Sequence, residues 1–360
     1  MKKLLTLSTL FLLLTTCIDE IDLADGAPLP DGIVFQGRMN VQEDNAEVFV
    51  VLERLFRFGE SNRPSRVTNA NIVLENSEGQ SVDLDFRNGG YRVEFPEDAS
   101  NFIIRPGVGY RVRARIGDEQ YSTAFDVLPE PLQVGEASIE LGLAERETVA
   151  GTPTMDSAVF YFVDAPVEYP DGSPTYIRYT TEQIFKVTDT PMNGPNRNNP
   201  PKVCYITSAV EGSNIRLISS ETTTVDNLDD FQLATTFLGE DFAEGNVLSV
   251  FQEMISRDAF RYFDQIDRVN SREASIFEPP GGPVVGNASD DNNRTDNVFG
   301  FFYVANRTVS RVAVSPEQAN FPAKRCPRPP SGSPFPRPNS CDDCLTINRS
   351  TDVRPDFFPF

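Results

Sequence analysis

Hydrophobic and polar positions alternate with a period of two through much of the first third of the chain. Val82, Leu84 and Phe86 are separated by Asp83 and Asp85, and after Asn88-Gly89-Gly90 the alternation resumes with Tyr91, Val93 and Phe95 around Arg92 and Glu94. Period two on both arms predicts a half-buried antiparallel pair, and Asn-Gly supplies the positive φ angles that a tight hairpin turn demands. Tyr110, Val112, Ala114 and Ile116 repeat the pattern, turn at Gly117-Asp118 and return through Tyr121, Thr123 and Phe125. Residues 48–52 are continuously apolar, as suits a strand covered on both faces. Short strands at this spacing, with little helical periodicity between them, predict a mainly β fold in which residues 31–145 form an immunoglobulin-like or transthyretin-like β-sandwich.

Residues 145–154 are charged and then carry Gly151 and Pro153, which reads as a linker to a second β-rich domain over 155–360. Apolar segments at 158–163, 176–187, 203–209, 246–255, 298–304 and 309–314 supply its strands. One stretch changes period. Ala259, Phe260, Phe263, Ile266 and Val269 recur at intervals of three and four behind Ser256, so an amphipathic helix capped by that serine is expected over 256–270. Its aromatic stripe is expected to pack on a sheet, with a partner-binding face as the alternative. The polar run 289–297 holds Asp290, Asp291, Asn292, Asn293 and Asp296 but lacks the central glycine and closing glutamate of an EF-hand loop. It reads as a surface loop, with calcium binding left open and no metal site assigned. Residues 321–339 are rich in proline and lie between cysteines.

The N-terminus has another logic. Lys2 and Lys3 precede an apolar run over 4–14, then Thr15, Thr16 and Cys17. A charged start, an apolar core too short to span a bilayer and small residues before a cysteine predict a lipoprotein signal peptide over 1–16. The mature chain would begin at Cys17, whose acylated thiol and amine hold it to a membrane. Thr16 is small, although the usual lipobox carries Ala, Gly or Ser there. Residues 17–30 form an acidic tether, and Asp19, Glu20 and Asp22 resemble the signal that sends Bacteroidota lipoproteins to the outer face of the outer membrane. The same charges also extend a tether by self-repulsion.

Composition narrows the chemistry. Asp and Glu number 53 against 32 Lys and Arg, for a net charge of −21, which argues against nucleic acid as a partner because phosphate binding needs clustered cations. There is no histidine. That removes the commonest general base near neutral pH and the usual serine and cysteine hydrolase triads. Carboxylate-pair chemistry survives, but no two of the 53 acids stand out, and no phosphate-loop spacing or cofactor motif is present. A non-enzymatic protein is expected. Arg111, Arg113 and Arg115 share one strand face, either as a grip for an anionic ligand or lipopolysaccharide, or as a wet face neutralised by acids near Asp118 and Asp126. Four cysteines remain after Cys17. An even number in an exported chain predicts two disulfides among Cys204, Cys326, Cys341 and Cys344. Of the three connectivities, Cys204 with Cys326 and a local Cys341–Cys344 bridge is preferred; a four-thiolate zinc site is the rival, weakened by the lack of a second C-x-x-C.

Several segments together carry a resemblance. Cys341-Asp342-Asp343-Cys344-Leu345, the ending Arg354-Pro355-Asp356-Phe357-Phe358, Pro201-Lys202-Val203-Cys204-Tyr205, the helix start at 256–263 and Gly286-Asn287 ahead of Phe299-Gly300-Phe301-Phe302 resemble the Bacteroidota lipoproteins grouped as domain of unknown function 4249. Members usually end in Pro-Asp-Phe-Trp, whereas Phe358 stands in that position here and the chain has no tryptophan. No catalytic residues are established for the family. Its members are commonly encoded beside TonB-dependent outer-membrane transporters, so the resemblance implies a surface protein that docks on such a transporter and helps capture a ligand. An adhesin or envelope-structural lipoprotein is the alternative.

Overall fold

The computed structural model describes residues 32–43, 45–55, 66–99, 101–147, 151–192, 199–210, 215–270, 284–292, 297–327 and 338–360. The chain begins with strands β1 (Ile33–Gln42), β2 (Asn45–Arg54), β3 (Asn71–Asn76), β4 (Ser81–Arg87), β5 (Gly90–Phe95), β6 (Gly109–Ile116), β7 (Glu119–Thr123) and β8 (Asp126–Val127). It continues with β9 (Glu136–Glu147), β10 (Pro153–Pro166), β11 (Tyr176–Thr188), β12 (Val203–Ala209), β13 (Arg216–Ser219), β14 (Asn227–Phe237) and β15 (Asn246–Ile255). Helix α1 (Arg257–Asn270), β16 (Ala288–Asp290), β17 (Val298–Val314), the short α2 (Pro316–Ala319) and β18 (Ser350–Thr351) complete it. The fold is mainly β, as expected. Among the described residues the strands form two sheets, one of 15 strands and one of three.

The hairpin read from alternation is β4–β5, with Asn88 and Gly89 at φ of 50° and 80°. Strand β4 also bends the large sheet. Its first half pairs with β3 and its second half with β5, so the layer of β16, β7, β6, β3 and β4 folds over the layer of β5, β2, β1 and β17. Phe35, Leu52, Leu74, Tyr91, Tyr110 and Val112 fill the space between, making a β-sandwich. Its far side is closed by Asn287. The amide of that residue accepts from the N–H of Phe302 at 3.0 Å and donates to its carbonyl at 2.8 Å, while its backbone bonds Gly300 and Ala124. Two glycines make this close approach feasible. A Cβ on Gly300, at φ +98°, would lie 1.8 Å from the Phe35 carbonyl oxygen, and one on Gly286 would lie 2.0 Å from the Gly300 oxygen. The Gly286-Asn287 and Gly300 segments are therefore a structural clasp.

Strand β17 runs through both halves of the molecule. Val298 to Asn306 pair in parallel with β1, and Ala305 to Val314 pair antiparallel with β15. The second half is another two-layer body, in which β9, β10 and β14 pack on β17, β15, β11 and β12 around Tyr161, Val163, Ile177, Tyr179, Leu248 and Val250. The described residues of the stretch expected as a linker over 145–154 are part of this body. Arg146 pairs with Thr154 and Glu145 with Met155 across the β9–β10 hairpin. Charge, glycine and proline mark a hairpin end as readily as a linker, and local composition does not separate them.

Helix α1 covers the outer face of the large sheet. Ser256 Oγ accepts from the N–H of Ala259 at 3.1 Å, as expected of an N-cap. Ala259 and Phe263 are buried against Ile255, Phe301, Tyr303 and Ala305. The ring of Phe263 also lies 4.0 Å from the guanidinium of Arg178, which donates to Tyr303 Oη at 2.8 Å and stands 3.4 Å from the buried carboxylate of Glu253. The C-terminus packs without tryptophan. Phe358 is buried edge-on against Tyr205, with ring centroids 5.0 Å apart.

Candidate functional site

The four cysteines bring distant segments together, in pairs other than those preferred from spacing. Cys204 bonds Cys344, and Cys326 bonds Cys341. A local bridge across Cys341-Asp342-Asp343-Cys344 does not form, because Cys341 closes one 3₁₀ turn and Cys344 opens the next. The carboxylate of Asp343 caps the second turn through the N–H of Leu345, and that of Asp342 accepts from the N–H of Met192. Buried Asp189 accepts from the N–H groups of Lys202 and Cys344. With all four sulfurs in disulfides, no thiolates are left for the zinc alternative.

These bridges wall a cleft. Phe185, Ile206 and Ile347 pack against the cystines on one side and line, on the other, an open concavity of about 790 Å³ between β14 and the β11–β12 edge. Ligand pockets commonly span roughly 300–1,000 Å³. The Cys326–Cys341 bridge sets Arg325 at the rim, where it pairs with Asp241 at 3.0 Å. The Cys204–Cys344 bridge fixes the segment that follows, and Arg349 there pairs with Glu182 while its carbonyl accepts from the N–H of Thr207 at 3.1 Å. Arg146, from the end of β9, crosses the opposite wall with its guanidinium 5.2 Å from the Phe237 ring centroid. Thr207, Ser208, Thr235 and Thr236 complete the lining, the hydroxyl of Thr236 being itself buried and without a hydrogen-bond partner among the described residues. Cationic planes, aromatic faces and hydroxyl-bearing residues line it together, with Asp241 as the carboxylate among the described lining residues.

The cysteines are legible in the sequence; the cleft is not. Arg146, Arg325 and Arg349 come from segments up to 203 residues apart, counted from the positions of the first and last, and only the adjacency of Arg325 to Cys326 hints at their meeting. Two of the three arginines in the β6 row are paired, with Glu75 rather than with Asp118 or Asp126: Arg111 and Arg113 bind the two Glu75 oxygens at 2.7 and 3.1 Å. Burial pushes the Glu75 carboxyl upward, but the two guanidinium donors outweigh it and hold it below the usual range. Asp126 is engaged elsewhere. It is buried, accepts from the N–H of Val304 at 2.7 Å and from the Ser256 hydroxyl, and burial pushes its carboxyl up to about 6. In the 289–297 run, Asp290 accepts from the N–H of Asn292 and Asp291 bonds the Ser122 hydroxyl; Asn293 and Asp296 lie outside the described residues. So do Cys17, Asp19, Glu20 and Asp22. None of the helices among the described residues is long and apolar enough to cross a membrane.

Two β bodies stitched by one long strand, with a cystine-walled cleft in the second, define the protein's class as a β-rich, disulfide-bonded one. The chain belongs to the family described as domain of unknown function 4249, which matches residues 25–311. No curated protein and no solved structure matches it.

Proposed function

We propose that this chain is a lipid-anchored protein of the outer membrane, facing the cell exterior, that captures a ligand in the cystine-walled cleft and docks on a TonB-dependent transporter. The cleft carries the reading, since its volume and mixed polar and aromatic lining suit a small ligand and its walls assemble no catalytic pair. Residues 1–16 and Cys17 support the anchor, Asp19, Glu20 and Asp22 support surface display, and the transporter follows from what the family resemblance implies. In this role the protein is not an enzyme and uses no cofactor.

Tagged chain extracted from detergent-solubilised outer membrane is expected to bring down a transporter identified by mass spectrometry. Cys17→Ser is expected to release the protein from the membrane fraction. Recovery without any transporter, combined with defective attachment and normal nutrient uptake on gene deletion, would replace the reading with that of an adhesin.

A further inference from the structure

The charge of the cleft opposes that of the chain. Acids outnumber bases 53 to 32 overall, yet the cleft is lined by three arginines and by one carboxylate, Asp241. Arg325 and Arg349 are held in ion pairs with Asp241 and Glu182. Arg146 differs from them. Among the described residues it has no carboxylate partner, its flat guanidinium rests on Phe237, and strand alternation turns its neighbours Glu145 and Glu147 to the opposite face. A guanidinium presents a fork of donors matched to a two-oxygen anion, and an aromatic support limits the entropy lost on binding. Beyond it lie Thr207, Ser208 and Thr235. An unpaired planar cation on an aromatic support, with serine and threonine residues along the same cleft, asks for a ligand that carries both an anionic group and hydroxyls.

We infer that the cleft binds a hydroxylated organic anion, a sugar acid or sugar phosphate, with Arg146 gripping the anionic group and the threonine and serine hydroxyls meeting the polyol. This deepens the capture role and rests on the cleft being the ligand site. Arg325 and Arg349 on the far wall are already paired with Asp241 and Glu182 and leave the anion to Arg146.

The test is calorimetric titration of the full acylated chain in detergent with three probes: tri-galacturonate, its neutral methyl ester and glucose 6-phosphate. The acid is expected to bind at least roughly tenfold more tightly than its ester, the scale of one charge-assisted contact. Arg146→Gln is expected to abolish that preference and Arg146→Lys to keep part of it, with thermal unfolding unchanged in both because the side chain is exposed. Binding of glucose 6-phosphate alone would assign the anion to phosphate, and binding of tri-galacturonate alone to carboxylate. Measurable binding of acid and ester with equal affinity, no binding of either anion, or an Arg146→Gln variant that binds the favoured anion as tightly as the wild type would overturn the inference. A transporter that co-purifies with a chain binding no anion sinks this inference alone; anion binding without a transporter sinks only the docking role.

Discussion

Asp126 joins the two halves of the molecule, and its ionisation should be visible in stability. Its side chain starts from the first sandwich, accepts from the backbone of Val304 on β17, and takes the hydroxyl of Ser256 at the head of α1. Burial is the main cause of its raised pKa of about 6, against roughly 3.9 for an unperturbed aspartate. The folded protein therefore binds a proton more tightly than the unfolded chain. The resulting stability is fully present below about pH 4 and is lost as pH rises through about 6. Two pKa units correspond to roughly 3 kcal/mol. Asp126→Asn keeps an acceptor for the Val304 N–H and removes the titration. Urea unfolding followed by circular dichroism from pH 4 to 8 should show a difference, variant minus wild type, that grows across pH 4–6 to about 3 kcal/mol in favour of the variant and then levels. Asp126→Ala leaves the buried Val304 N–H unpaired and should lie about 1–3 kcal/mol below the asparagine variant throughout. Parallel wild-type and Asp126→Asn profiles between pH 4 and 6 would refute the reasoning.

Other perturbations address the clasp, the staples and the buried ion pair. Gly300→Ala places a methyl 1.8 Å from the Phe35 carbonyl oxygen and should destabilise by roughly 4 kcal/mol or more, read by thermal unfolding; Gly89→Ala, which meets only the flexible end of Arg66, should cost about 1 kcal/mol. Replacing Cys204 and Cys344 together by serine removes a bridge that spans 140 residues, worth about 5 kcal/mol by chain entropy, against about 3 kcal/mol for the 15-residue Cys326–Cys341 loop. The first replacement should lower the urea midpoint more than the second. Arg178→Met strands the buried Glu253 carboxylate and should cost about 3–5 kcal/mol, part of which Glu253→Gln in the same chain restores.

What was legible in the sequence was local. Val82 to Phe95 declared a hairpin because period two and Asn88-Gly89 act within a few residues, and α1 declared itself through Ser256 and the spacing of Ala259, Phe260 and Phe263. Val269, the last of that stripe, is half exposed. The pairing of Ile33 with Val298 joins residues 265 positions apart by backbone groups that every sequence possesses, so no residue type announces it. Cysteine pairing was hidden for a related reason. Proximity in sequence favoured Cys341–Cys344, but successive 3₁₀ turns send those side chains to different partners. The cleft inherits that opacity, because its rim arginines meet only after the cystines close.

The shared strand β17 also decides how the molecule bears load. Because β1 and β17 run parallel, a pull on the N-terminal end of β1, resisted at the C-terminal end of β17, stresses their ladder along its length. All its hydrogen bonds must then slip together, instead of opening one after another as in a zipper. Drag at one end of the protein is thus carried into the far body through one continuous strand.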